Sequence, residues 1–102
     1  MKKKMLETHY RASRFCRVLG NPTAYQILKI LTHTPKSPSE LTHEIGLSLK
    51  TVSETLRNLR QIDLVRYTTK ENFKIYSLKD EFLPKVLNYI EKYVKRMRIL
   101  KW

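Results

Sequence analysis

The segment from Ser37 to Leu78 constrains the fold of this chain more than any other part of its sequence. It opens with Ser37-Pro38-Ser39-Glu40, where Ser is a preferred N-cap, Pro suits the first helical position and Glu completes a capping box. This helix is predicted to be short and to end at Gly46. Ser48 then caps a second helix, which we expect from Leu49 to about Ile62. The spacing leaves only a tight turn between the two helices.

The second helix of this pair has an apolar side and a polar side. Its apolar residues recur at spacings of three, four and three, as a single buried stripe requires, and they are Leu49, Val52, Leu56 and Leu59. Asp63 ends the helix because Asp tolerates the left-handed conformation better than most residues. Residues 64–69 and 73–78 read as two strands joined at 70–72. A helix, turn, helix and hairpin in this order predict a winged helix-turn-helix, which places its second helix in the DNA major groove.

The polar side of the second helix carries the residues that we expect to contact DNA. Short hydroxyls allow close approach to bases or phosphates, and Arg57 can reach a phosphate or a guanine. Glu54 can accept a hydrogen bond from a cytosine amine or pair with Arg57. The hairpin adds basic residues where a wing meets the backbone or minor groove, whereas Tyr67 and Tyr76 are expected to pack. The predicted DNA-binding residues are Ser48, Lys50, Thr51, Ser53, Glu54, Arg57, Asn58, Arg66, Lys70 and Lys74.

Helices at both ends complete a single domain, 1–102, that is mostly α-helical with a small β-hairpin. The parts are N-terminal helices within 5–36, the helix-turn-helix at 37–62, the wing at 64–78 and a C-terminal dimerisation helix at 80–100. The last helix alternates apolar spacings of four and three, which suits packing against another helix. A domain this small has little spare core, so we expect a homodimer. Its predicted interface residues are Leu6, Tyr10, Leu83, Leu87, Ile90, Val94 and Met97.

The charge of the chain points to a polyanionic partner. Its 21 basic residues against nine acidic ones give a formal net charge of +12, which suits nucleic acid first and an anionic membrane second. The excess is uneven: residues 1–40 carry +6, residues 41–80 carry +2 and residues 81–102 carry +4. The segment with the predicted recognition helix and wing, residues 41–80, is here termed the reading head, and it is less basic than the ends. We therefore expect flanking contacts to supply much of the affinity for DNA.

Several other classes of protein fit this sequence poorly. There is no Gly-rich phosphate loop and no Ser–His–acid or Cys–His arrangement, so we expect no catalysis and no cofactor. No signal core and no apolar run long enough to span a bilayer is present, so we expect a cytoplasmic protein without a membrane partner. Cys16, the single cysteine, is expected to be a small buried residue. Because it lies beside Arg14 and Arg17, it is also a candidate redox group.

Local phrases of the sequence resemble the ArsR-type family of small bacterial and archaeal repressors. They lie within roughly residues 12–78 and include Val18-Leu19-Gly20-Asn21-Pro22-Thr23, Ser39-Glu40-Leu41, Thr51-Val52-Ser53, Leu56-Arg57-Asn58-Leu59-Arg60, Leu64-Val65-Arg66 and Tyr76-Ser77-Leu78. The resemblance implies a dimer formed through the first and last helices, which represses transcription until an inducer, unknown here, releases it. It also implies that Ser48, Lys50, Thr51, Ser53, Glu54 and Arg57 face DNA.

The chain departs from the metal-sensing members of that family. They carry a cysteine pair in the first helix of the DNA-binding motif, whereas residues 39–45 here contain none. Others use His and acids of the final helix as zinc ligands, but the final helix here has no His. The three histidines fall on three different helices, so we expect no metal site. The family also often has Gly in place of Asp63 and a basic residue or His in place of Glu54.

Two alternatives from other functional classes stay open. The strongly basic ends and Glu54 also suit an architectural protein that binds any DNA sequence. A winged helix can instead be a protein-interaction module, with its polar helix face simply solvated. Equal affinity for all duplexes would identify the first alternative, and no DNA binding at low salt would identify the second.

Overall fold

The computed structural model describes residues 5–97 as five helices and one hairpin. In chain order these are α1 (Glu7–Leu19), α2 (Pro22–Leu31), α3 (Pro38–Ile45), α4 (Leu49–Gln61), β1 (Val65–Lys70), β2 (Phe73–Leu78) and α5 (Phe82–Arg96). The predicted order of elements is confirmed, and so is the winged helix-turn-helix fold. None of the described helices is long and apolar enough to cross a membrane.

The helix-turn-helix begins and ends at the residues that local chemistry predicts. Ser37 accepts a hydrogen bond from the Glu40 backbone N–H at 3.1 Å, and the Glu40 side chain accepts one from the Ser37 N–H at 2.9 Å, which forms a capping box. These bonds hold the pKa of the Glu40 carboxyl below its usual value. Gly46 ends α3 at φ 83°, a left-handed conformation that costs glycine little. Ser48 caps α4, and Asp63 follows that helix at φ 69°, as predicted.

The hairpin is antiparallel, with Val65 opposite Leu78 and Lys70 opposite Phe73. Glu71 and Asn72 form its two-residue tip, both at positive φ, as hairpin turns require. One feature that the sequence did not reveal is a bridge from the loop before α3. The backbone N–H of Lys36 donates to the Tyr76 carbonyl at 3.0 Å, and the Tyr76 N–H donates back at 2.8 Å. The wing is thereby attached to the helix-turn-helix at its base.

The core lies where α2, α3, α4, the base of the hairpin and α5 meet. Its buried residues are Leu19, Ala24, Ile27, Leu28, Leu31, Leu41, Val52, Leu56, Leu59, Val65, Tyr76, Leu83 and Leu87. Leu49, predicted to belong to the buried stripe of α4, is instead 52% exposed. It stands at the first position of the helix, before the part of α4 that packs on the core.

Four helix boundaries differ from the prediction. The first helix starts at Glu7 rather than Met5, and α2 ends at Leu31, two residues early. The final helix is shorter than 80–100. It begins at Phe82 because the Asp80 carboxylate accepts hydrogen bonds from the first-turn N–H groups of Phe82 and Leu83, at 2.9 and 3.2 Å. It ends at Arg96 because the backbone at Met97 is extended, and residues 98–100 lie outside the described part of the chain.

Candidate nucleic-acid interface

Helix α4, hereafter the recognition helix, turns a polar and basic face away from the core. Its buried side is Val52, Leu56 and Leu59, which pack inside the domain. The residues on its other sides that were predicted to bind DNA are exposed, apart from Ser53, which is half-buried; the exposed ones are Lys50, Thr51, Glu54, Arg57 and Asn58. One rigid surface therefore carries most of the predicted base-reading residues.

The start of the recognition helix is ordered by its own cap. The Ser48 hydroxyl accepts a hydrogen bond from the Thr51 backbone N–H at 3.1 Å and donates one to the Thr51 hydroxyl at 3.0 Å. Ser48 is thus engaged within the chain, and both residues are exposed. Helix N-termini with exposed hydroxyls are suited to phosphate oxygens and base edges.

Glu54 does not pair with Arg57, although the sequence left that pairing open. Within residues 5–97 the ion pairs are Lys29–Glu91, Lys36–Glu44 and Lys79–Asp63. Arg57 is exposed and keeps its guanidinium available for an external acceptor. The arrangement leaves one carboxylate and one guanidinium side by side on the reading face as separate groups.

The predicted basic residues of the wing, Arg66, Lys70 and Lys74, are all exposed. Lys74 lies on the same hairpin face as Tyr67, and Arg66 and Lys70 lie on the opposite face. Tyr67 and Tyr76 pack together as predicted, with ring centroids 5.3 Å apart, and Tyr76 is buried. Burial raises the pKa of the Tyr76 hydroxyl, and the positive charges of Arg60 and Arg57 oppose that rise. The aromatic pair is therefore structural and not a platform for stacked bases.

Two cations lie over the ring of Tyr67, and one of them joins the recognition helix to the wing. Arg60 of the recognition helix lies 5.2 Å from the ring centroid, and Lys74 of β2 lies 4.8 Å from it. Behind them, Lys79 Nζ contacts both carboxylate oxygens of Asp63 at 2.6 and 2.7 Å. The contact of Arg60 with Tyr67 and the exposed ion pair each stabilise the packing of the helix against the wing only modestly. Arg60 was not among the predicted site residues.

A second exposed surface is apolar and lies on the end helices. The predicted interface residues divide between this surface and the core. Leu6, Tyr10, Val94 and Met97 are exposed and Ile90 is half-buried, but Leu83 and Leu87 are 6% and 0% exposed. Leu83 and Leu87 pack inside their own chain, so the prediction that they face a partner is wrong.

Helix α5 instead presents a different apolar stripe, which the sequence interpretation missed. Phe82, Tyr89 and Tyr93 are each about two-thirds exposed. Their spacings of seven and four put them on one helix face, which is a signal that the sequence did contain. Met5, Leu6 and Tyr10 near the start of the chain are also large apolar residues that stand exposed.

Cys16 is exposed, contrary to the expectation that it is buried. Its place on the outer side of α1 follows from the neighbours that do pack on the core, Phe15, Val18 and Leu19. Its candidacy as a redox group stays a prediction. In the described part of the chain, His, Cys, Asp and Glu side chains form no group of three that could hold a metal ion.

Comparison with known proteins places the chain among DNA-binding domains. Residues 19–68 match the family model described as a helix-turn-helix domain. No curated protein sequence matches the chain significantly. Solved structures that resemble it include Rv0081 of M. tuberculosis, with a TM-score of 0.84 and 25% identity over 90% of this chain and 93% of that one. NolR of Sinorhizobium fredii has a TM-score of 0.77 and 25% identity over 91% and 96%.

A third neighbour is Mb0332 of Mycobacterium bovis. Its solution structure superposes with a TM-score of 0.76 and 18% identity, covering 100% of this chain and 97% of that one. That protein is described as a homodimeric winged helix-turn-helix DNA-binding domain and a possible ArsR-family transcriptional regulator. The likeness includes α1 and α5, so residues 5–97 share the fold of that domain.

Proposed function

We propose, from the premise that this chain is a winged helix-turn-helix protein of the ArsR type, that it binds specific double-stranded DNA as a homodimer and represses transcription. The observation that carries the proposal is the pairing of two exposed surfaces. One is the polar and basic face of the recognition helix, and the other is the basic wing that contacts that helix through Tyr67.

Each surface has its own role in this proposal. Lys50, Thr51, Ser53 and Arg57 read base edges in the major groove, because Lys and Arg recognise guanine and short hydroxyls fit against either base type. Arg66, Lys70 and Lys74 bind the flanking backbone and supply affinity without reading sequence. Glu54 discriminates by accepting from a cytosine amine and by repelling a misplaced phosphate.

Dimer formation through the end helices completes the reading head. The exposed apolar residues of α1 and α5 would be covered by a second copy, and Mb0332, which shares the architecture, is homodimeric. A two-fold axis then places two recognition helices about 34 Å apart, or one turn of DNA. The expected target is a pseudo-palindrome with half-sites at that spacing.

The proposed repressor responds to something other than a metal bound in α3. That helix, Pro38–Ile45, contains no cysteine, and α5 contains no histidine. The chain also lacks the residue sets expected of an enzyme. In this proposal it acts by binding DNA. An inducer, if one acts, would have to favour the protein conformation that does not bind DNA.

Fluorescence anisotropy with two labelled duplexes tests the proposal. One duplex carries the promoter upstream of the protein's own gene and the other a scrambled sequence, each titrated at several salt concentrations. A preference for the promoter that persists at physiological salt supports an autoregulating repressor. No binding to either duplex at low salt would refute DNA binding.

A sequence-indifferent architectural role is the second candidate, and the charge distribution favours it. The segments outside the reading head carry most of the net charge of +12. In that case both duplexes bind equally and both lose affinity steeply with salt, because counterion release supplies the whole free energy of binding.

A further inference from the structure

A groove of about 210 Å³ lies between the recognition helix and the junction of α1 with α2. Its apolar floor is formed by Ala24 and Leu59, which are buried, and by half-buried Val18. Its rim carries polar side chains from three helices or their ends. They are Arg17 of α1, Asn21 before α2, and Thr55 and Asn58 of the recognition helix.

The rim offers free hydrogen-bond donors from Arg17, Asn21 and Asn58. The Asn21 side-chain oxygen accepts a hydrogen bond from the Ala24 N–H at 3.0 Å, which leaves the Asn21 amide N–H groups to face outward. The Thr55 hydroxyl donates to the Thr51 carbonyl at 2.8 Å, so its hydrogen is already engaged. Arg17 and Asn58 are exposed, and Arg17 takes part in no ion pair within residues 5–97. Among residues 5–97, no carboxylate lines the groove.

The groove also continues the reading face of the recognition helix. Thr51, Thr55 and Asn58 follow one another at spacings of four and three, so they lie along one side of that helix. Asn58 is seven residues beyond Thr51, or about 10 Å along the axis. A DNA strand that contacts Thr51 at the start of the helix would pass the groove farther along the same side.

We infer that this groove holds a phosphate of the DNA backbone, with the guanidinium of Arg17 as its principal ligand and the Asn58 amide as its partner across the groove. The inference rests on the proposed function, because the phosphate belongs to the duplex that the recognition helix reads. A guanidinium binds two phosphate oxygens at once, and a backbone contact of this kind positions the protein without reading sequence. Through Arg17, part of the excess positive charge of residues 1–40 would contact the DNA backbone.

The test compares Arg17→Ala with Arg11→Ala, which removes the same charge from an exposed position on the same helix but outside the groove. Binding to the promoter duplex and to its scrambled version is measured by anisotropy across a salt series. For Arg17→Ala we expect weaker binding to both duplexes and a plot of log K against log salt that is shallower by about 0.9 per bound protomer. Arg11→Ala should keep the wild-type slope, and Arg17→Lys should restore most of it.

A double-mutant cycle tests whether the two side chains share one phosphate. The combined loss in Arg17→Ala, Asn58→Ala should be smaller than the product of the single losses, since either change removes part of one site. Strictly multiplicative losses, or a slope for Arg17→Ala equal to that of Arg11→Ala, would overturn the inference while wild-type binding stands. If the wild-type protein binds neither duplex, the proposed function itself fails.

Discussion

The hydroxyl of Tyr25 donates a hydrogen bond of 2.6 Å to Oε2 of Glu91, which joins α2 to α5 across 66 positions of the chain. Lys29 Nζ approaches the same carboxylate at 3.1 and 3.2 Å. These are contacts between a core helix of the DNA-binding unit and the helix proposed to meet the partner subunit. Tyr25 and Lys29 together hold the pKa of Glu91 below its usual value, the hydrogen bond from Tyr25 having the larger effect.

Tyr25→Phe removes only the hydroxyl and should lower the free energy of unfolding by about 1 kcal/mol or less. A hydrogen bond of this kind contributes roughly 0.5–1.5 kcal/mol, and water competes for the Glu91 side chain, which is 38% exposed. Urea denaturation measures the change. In a cycle with Glu91→Gln, the double variant should lose less than the sum of the single losses. Full additivity would mean that the contact contributes nothing to stability.

The same contact predicts a pH dependence. Burial, then the bond and charge of Glu91, raise the pKa of Tyr25 to about 12 from the ordinary value of 10.0. The Tyr25 contribution is therefore complete below pH 10 and is lost as pH rises from 10 toward 12. At the acid end the sign is opposite. The contribution of Glu91 to the free energy of unfolding is present above its ordinary pKa of 4.5, and it is lost as pH falls through the lowered pKa. The stability difference between wild type and Tyr25→Phe should shrink at both ends, and a constant difference would contradict this account.

Ser37→Ala should destabilise the protein by about 1 kcal/mol, because it removes the side-chain half of the capping box at the start of α3. Ser39→Ala is the matched control. Ser39 is exposed two residues later, and its side chain makes no hydrogen bond within residues 5–97. Thermal or urea unfolding of the two variants gives the comparison. Equal losses would show that the cap does not stabilise α3.

Arg57→Ala should weaken binding to a specific duplex by about 1–3 kcal/mol and relax the preference at one base pair, if Arg57 reads a base. Arg66→Ala, on the wing, should instead weaken specific and scrambled duplexes equally, since its proposed contact is with the backbone. Competition binding with single-base variants of the target separates these outcomes. An equal loss on all sequences for Arg57→Ala would make Arg57 a phosphate contact.

Tyr93→Glu should convert the proposed dimer to a monomer by placing a charge on the exposed apolar stripe of α5. Asn88→Glu adds the same charge to the same helix at another exposed position, outside that stripe, and should remain dimeric. Sedimentation velocity distinguishes the two. Dimeric Tyr93→Glu protein would show that self-association uses a different surface.

The sequence predicted best those features that local chemistry determines. Ser37, Gly46, Ser48 and Asp63 act within a few residues of their own positions, so the ends of α3 and α4 follow from residue type alone. The polar face of the recognition helix is equally predictable from the sequence, because the helical repeat alone decides which residues share a face.

Burial at the ends of helices could not be predicted in the same way. Leu83 and Leu87 fit an interhelical seam, but Phe82, Tyr89 and Tyr93 form a second stripe, and only the packing of α5 decides which stripe faces the core. Periodicity and residue type predict that Leu49 and Cys16 lie in the interior. Leu49 is exposed because it stands at the first position of α4, and Cys16 is exposed because the other side of α1, with Phe15, Val18 and Leu19, packs on the core.

Selection from a pool of duplexes with a randomised central region, at physiological salt, tests the central claim most directly. A homodimer that reads DNA through two recognition helices should enrich a pseudo-palindrome whose half-sites lie one helical turn, about 10 base pairs, or a multiple of it apart. A bound pool with the same sequence distribution as the input would contradict the claim, because such binding reads charge and shape but not sequence.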